Sequence, residues 1–212
     1  MVPAKEFSKY VDLRANSDCI KFAKNCFDEN SGLNKTVFAS SIMSVHDINF
    51  NIANENIITT RQYLSANYWD LRNLTAPSNK FLLYEPIITK LSYLYQNNYM
   101  TDKFTLSNDP TGKVIITGGY NNMFHIIDHE QKLNTQIVVD ENNEKIMNTN
   151  VIRKINSKGS CFYKKDDSTL TNINFDKRIL HQAYSPTENF AHLILLNCIY
   201  SYTGASAKKS SK

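Results

Sequence analysis

The sequence contains no apolar run approaching the roughly 18 to 20 residues that span a bilayer, and its opening stretch, MVPAKEFSKYVDLR, lacks the uninterrupted apolar segment of a secretory signal. These absences predict a soluble, intracellular chain, cytoplasmic or also nuclear, with no membrane partner. Cysteine is sparse: Cys19, Cys26, Cys161 and Cys198 form neither a CxxC pair nor a disulfide framework. They are expected to be free thiols packed as small hydrophobes. The glycosylation sequons Asn34-Lys35-Thr36 and Asn73-Leu74-Thr75 have no consequence without a secretory route. An excess of one charge sign is also missing. The 24 Lys and Arg against 20 Asp and Glu leave +4, and Lys208, Lys209 and Lys212 all lie in the last five residues, so the body of the chain is close to neutral. A surface built for nucleic acid would carry a clustered basic face, and that partner is not expected.

What is present is enough for one domain of ordinary size: 212 residues, 42% of them hydrophobic. The periodicity is mostly two. In Tyr63–Trp69 one face carries Leu64, Ala66 and Tyr68 while the other carries Ser65, Asn67 and Trp69, the pattern of a strand with two differently packed faces. Short apolar or β-branched stretches bounded by turn residues recur at Asp47–Phe50, Asn56–Thr60, Lys113–Thr117, Met123–Ile127 and Ala191–Leu196. Ile88, Leu91 and Tyr95 are spaced for a short helix, which is too isolated to change an all-β class.

A repeat runs through these strands. Val11-Asp12-Leu13-Arg14 recurs 58 residues on as Trp69-Asp70-Leu71-Arg72, and Ile127-Asp128 stands another 58 residues along. A fourth copy, Leu180–Tyr202, lacks the closing Asp. Copies of 40 to 60 residues ending in Trp-Asp predict four-stranded propeller blades of the WD-repeat kind. The boundaries expected are residues 1–14 for the last strand of a preceding blade, 15–72 and 73–130 for two blades, and 172–203 for the last blade. Residues 131–171, most irregular from about Asp140 to Thr171, read as an insertion loop, and the basic tail 204–212 as disordered.

No constellation for catalysis emerges, and no cofactor is expected. His125 and His129 would share a strand face at about 13 Å separation, too far to hold one metal ion, with Asp128 pointing the other way. No signature of a nucleophile surrounds any cysteine. Thr117-Gly118-Gly119-Tyr120-Asn121-Asn122 leads into no helix that could cradle phosphate and reads as a hairpin turn whose Gly and Asn supply positive φ. A non-enzymatic scaffold that binds other proteins remains.

Four collinear blocks sharpen this. Thr60-Arg61-Gln62-Tyr63-Leu64-Ser65 leads to Trp69-Asp70-Leu71, and Leu94-Tyr95 is followed by Asp102-Lys103-Phe104. Thr117–Asn122 precedes Phe124 and Asp128, and Asn174–His181 precedes Pro186, Glu188 and Asn189. Together with Glu141-Asn142-Asn143 in the insertion, they resemble the fifty-five-kilodalton B regulatory subunit family of protein phosphatase 2A, from about Val11 to Tyr202. The resemblance implies a non-catalytic subunit on a seven-bladed propeller. It would dock on the scaffold and catalytic subunits of the phosphatase and present phosphoprotein substrates. By the same resemblance Tyr95 and Lys103 map to a substrate groove on the top face, joined by Phe38. An aromatic anchor and a cation suit such a task. Tyr95 packed as a strand-edge aromatic between blades, and Lys103 as a solvated charge, are the alternatives.

The sequence departs from that family at Gln96, Asn98 and Thr101, where the pattern has two acids and an aromatic, and at Val37-Phe38, where it has two aromatics. Length departs too, because 212 residues accommodate about three C-terminal blades of seven. Half a propeller would expose two blade faces and an unpaired strand edge. A gene fragment, a truncated paralogue and a chain completed by a partner all fit. A general protein-interaction scaffold without a phosphatase link is the alternative function.

Overall fold

The computed structural model describes residues 8–10, 25–27, 44–73, 75–84, 87–88, 91–98, 101–139, 146–154, 173–188, 190–195 and 198–203. The Val11-Asp12-Leu13-Arg14 copy, Phe38, Cys19, Cys161 and the 204–212 tail lie outside these residues, and of Cys26 and Cys198 only the backbone is described.

Fourteen strands occur among the described residues, all paired antiparallel with their neighbours in the chain. β1 (Ser8–Tyr10) pairs with β2 (Asn25–Phe27). A four-stranded sheet follows in the order β3 (Val45–Phe50), β4 (Ile57–Gln62), β5 (Ser65–Asp70), β6 (Asn79–Leu82). A short helix, α1 (Leu91–Gln96), leads to a five-stranded sheet of β7 (Leu106–Asn108), β8 (Val114–Gly118), β9 (Met123–Asp128), β10 (Leu133–Val139) and β11 (Ile146–Lys154). The last sheet is β12 (Gln182–Tyr184), β13 (Phe190–Leu195) and β14 (Cys198–Thr203).

The six strands expected from the sequence are present, and the two-face pattern of β5 is explained by burial of every residue from Ser65 to Trp69. β8 shows the cause most directly. Ile115 joins a core cluster with Tyr68, Phe81 and Leu106, while its neighbour Ile116 joins a second cluster with Phe124, Ile137, Ala191 and Leu193. The middle sheet therefore separates two cores, and a continuous apolar run is what a strand buried on both faces requires.

Two boundaries differ from expectation. The Trp-Asp pair ends the third strand of its sheet, not the fourth. Trp69 Nε1 donates to Thr60 Oγ1, Asp70 accepts two guanidinium bonds from Arg72, and the chain then turns back to add β6 beyond residue 72. Likewise the 131–171 stretch is not simply a loop, since β10 and β11 lie within it and pair onto β9. Polar residues hide the alternation in β10: buried Asn134 and Gln136 stand where apolar side chains usually mark a strand.

The hairpin between β8 and β9 also corrects the roles of its residues. Asn121 (φ 58°) and Asn122 (φ 53°) carry the left-handed conformations, closing a type I′ turn with a Met123 N–H to Tyr120 carbonyl bond of 3.1 Å. Gly118 and Gly119 have ordinary φ and are required by proximity. A Cβ on the first would overlap the Ile179 carbonyl, and on the second the Tyr84 hydroxyl.

Candidate functional site

The connection between β6 and β7 carries Tyr95 and Lys103. Leu91 and Leu94 are buried and fix α1 to the core, which leaves Tyr93 and Tyr95 exposed at 58% and 45%. Asn98, with φ 58°, ends the helix, and its N–H donates to the Tyr95 carbonyl. Tyr95 thus sits on an exposed helical turn, not on a strand edge between sheets. Lys103 is exposed at the far end of the same connection.

Asp102, next to Lys103 in the chain, opens a network that sequence reasoning did not single out. Asp102 accepts the Arg178 guanidinium at 3.0 Å and the Tyr120 hydroxyl at 3.0 Å, and Tyr120 in turn meets the Tyr63 hydroxyl at 3.1 Å. Tyr84 accepts the Tyr120 N–H at 3.0 Å. Burial pushes the Tyr84 hydroxyl up to about 12, and pushes those of Tyr63 and Tyr120 upward as well, so all three remain protonated donors at neutral pH.

Arg61 lies beneath this network, fully buried. Its Nε donates to Thr117 Oγ1 at 3.0 Å, and Nη1 donates to the carbonyls of Gln62, Tyr63 and Ser65. The guanidinium carbon stands 5.0 Å from the Phe104 ring centre and 5.9 Å from that of Tyr84. Desolvation lowers its pKa to about 10, which still leaves it charged. No carboxylate pairs with it among the described residues, so carbonyl dipoles and aromatic faces compensate the cation. His46 is affected from the same side: burial, then Arg61, then Lys103 lower its pKa to about 4.

His125 and His129 serve packing. The first bonds Asn134 Oδ1 at 3.0 Å, and the second stacks on Tyr68 at 4.8 Å while bonding the Lys113 carbonyl. Asp128 ends β9, where it accepts the Gln131 N–H. Among the described residues no group of three or more His, Cys, Asp or Glu could hold a metal ion, and no helix is long and apolar enough to cross a membrane.

Each of the four blocks singled out in the sequence contributes to this one seam. Arg61 and Tyr63 come from the first, Asp102 and Phe104 from the second, Thr117, Gly119 and Tyr120 from the third, and Arg178 and Ile179 from the fourth. The signal that could have found the network is chemical: an Arg, an Asp and three Tyr inside otherwise apolar blocks need partners once buried. The sequence matches no protein-family model.

Proposed function

We propose that the chain is a non-catalytic regulatory subunit of protein phosphatase 2A, built as about three blades of a WD-repeat propeller, that targets the holoenzyme to phosphoprotein substrates. The single observation that carries this reading is the convergence of the four collinear blocks on one seam that includes Asp102, the neighbour of Lys103. Support for the propeller comes from the inter-sheet contacts. The four-stranded and five-stranded sheets are joined by hydrogen bonds between residues 56 to 61 apart in the chain, close to the repeat length. The partners are the scaffold and catalytic subunits, and the substrate surface includes Tyr95 and Lys103, with Phe38 as the third residue that the resemblance assigns to it.

The test is affinity purification of the chain from its own cells, read by mass spectrometry. Recovery with both the scaffold and the catalytic subunit is expected. Recovery with neither would overturn the reading and favour a general interaction scaffold.

A further inference from the structure

The pairing of β3 with β4 is irregular at one point. Val45 pairs with Gln62 and Asp47 with Arg61, so His46 is an extra residue between two successive partners, a β-bulge beside the buried arginine. Bulges re-aim side chains and are over-represented next to functional sites. The His46 ring packs edge-on to Tyr63 at 6.2 Å, Arg61 Nη1 donates to the Tyr63 carbonyl at 3.1 Å, and the guanidinium carbon lies 5.0 Å from the ring centre of Phe104, the chain neighbour of Lys103. Three basic side chains are thus gathered around one pair of aromatic rings. They pass from Arg61, fully buried, through His46, half-buried, to Lys103, exposed.

Arg61 Nη2 and His46 Nδ1 are both shielded from solvent, and neither has a hydrogen-bond partner among the described residues. An unmet bond on a buried charged group is among the costlier defects a fold can carry. The nearby carboxylates are committed elsewhere. Asp47 accepts the N–H groups of Ile48 and Leu106, and Asp102 accepts the Arg178 guanidinium and the Tyr120 hydroxyl. Tyr63, Tyr84 and Tyr120, the other titratable groups around Arg61, stay protonated and neutral. Burial, Arg61 and Lys103 all lower the His46 pKa, to about 4, and no carboxylate opposes them.

A group with negative charge and several acceptor oxygens complements this cluster. We propose that His46, Arg61 and Lys103 form a binding site for a phosphate-type oxyanion, with Arg61 Nη2 and the His46 imidazole as inner donors and Lys103 as the outer cation. Such an anion accepts from guanidinium, imidazolium and ammonium at once, and charge-assisted bonds of this kind are the strong ones. Binding brings a proton with it, because the anion reverses the field that keeps His46 neutral. The site is independent of the phosphatase reading.

The experiment follows the histidine imidazole resonances of the full chain by NMR, with His46 identified by the signal lost in His46→Gln. Sodium phosphate is titrated at neutral pH against sodium chloride of equal ionic strength. A saturable shift of the His46 signal is expected, with a midpoint of about 10 mM or lower. Lys103→Gln should weaken it about fivefold or more, with an unchanged melting temperature because the side chain is exposed. In saturating phosphate the His46 titration should move up from about 4 toward the ordinary 6.5. Repeating the titration with O-phosphoserine separates the two sources of such an anion: tighter binding than inorganic phosphate assigns the site to a phosphorylated side chain, weaker binding to the free ion. No saturable shift beyond the chloride control up to about 100 mM phosphate would overturn the proposal. So would a midpoint indifferent to Lys103→Gln, or a His46 titration that phosphate leaves in place.

Discussion

The hydroxyls of Tyr63 and Tyr120 meet at 3.1 Å although 57 residues separate them in the chain. Each follows the second strand of its sheet, one residue out of the 58-residue register. Tyr120 gives its one proton to Asp102 at 3.0 Å, and Tyr63 must therefore donate to Tyr120. The relay ends at the surface, where Arg178 closes on Asp102.

Tyr120→Phe removes both links of this relay and leaves the buried Tyr63 hydroxyl without an acceptor. The expected cost is about 1–3 kcal/mol, the penalty of an orphaned buried donor. In a chain of this size that lowers the melting temperature by several degrees, roughly 2–4 °C per kcal/mol, read by thermal denaturation. An unchanged melting temperature would mean that the relay contributes nothing.

Gly119→Ala places a methyl group on the Tyr84 hydroxyl and should displace it from the Tyr120 N–H. In a Tyr84→Phe background the hydroxyl is gone, and the same substitution should be tolerated better. A double-mutant cycle by urea unfolding is expected to give a coupling of about 1 kcal/mol or more. Strict additivity would place the strain elsewhere.

Arg61→Lys should destabilise the protein almost as much as Arg61→Met, by about 1–3 kcal/mol, the cost of leaving buried acceptors unsatisfied. A single ammonium cannot span Thr117 Oγ1 and the carbonyls of Tyr63 and Ser65 while lying flat on the Phe104 ring, whereas the guanidinium fork does both. Full stability with lysine would show that charge alone matters there.

His46 makes stability depend on mildly acidic pH. Its folded pKa of about 4 lies below the ordinary value of 6.5, so the unfolded chain takes up the proton first. The stabilising contribution is complete above pH 6.5 and is lost as pH falls through 4, a change of about 3 kcal/mol in the limit. Thermal melts across that window should show the slope, and His46→Gln should flatten it.

Tyr95→Ala is expected to leave the melting temperature within about 1 °C of the parent, as for most exposed substitutions. Under the proposed function it weakens substrate capture severalfold while leaving binding to the phosphatase scaffold intact. Equal loss of both in pull-downs would make Tyr95 a structural residue.

The strands were legible because burial on two faces leaves short runs of apolar and β-branched residues between turn residues, as in Tyr63–Trp69 and Lys113–Thr117. β10 was not legible, since Asn134 and Gln136 occupy buried positions in it. The assignment of Tyr95 and Lys103 to a substrate groove rests on resemblance alone. The Asp102–Arg178 pair, 76 residues apart, was not, because no local pattern records a contact formed across sheets.

The sequence by itself determined the β class and the asparagine turn at Asn121-Asn122, which depend on residues near one another in the chain. The tertiary structure alone decided which faces are covered. Leu106 and Ile48 occupy equivalent positions in the repeat, yet one is buried and the other open, because burial depends on what the neighbouring sheet brings to the contact.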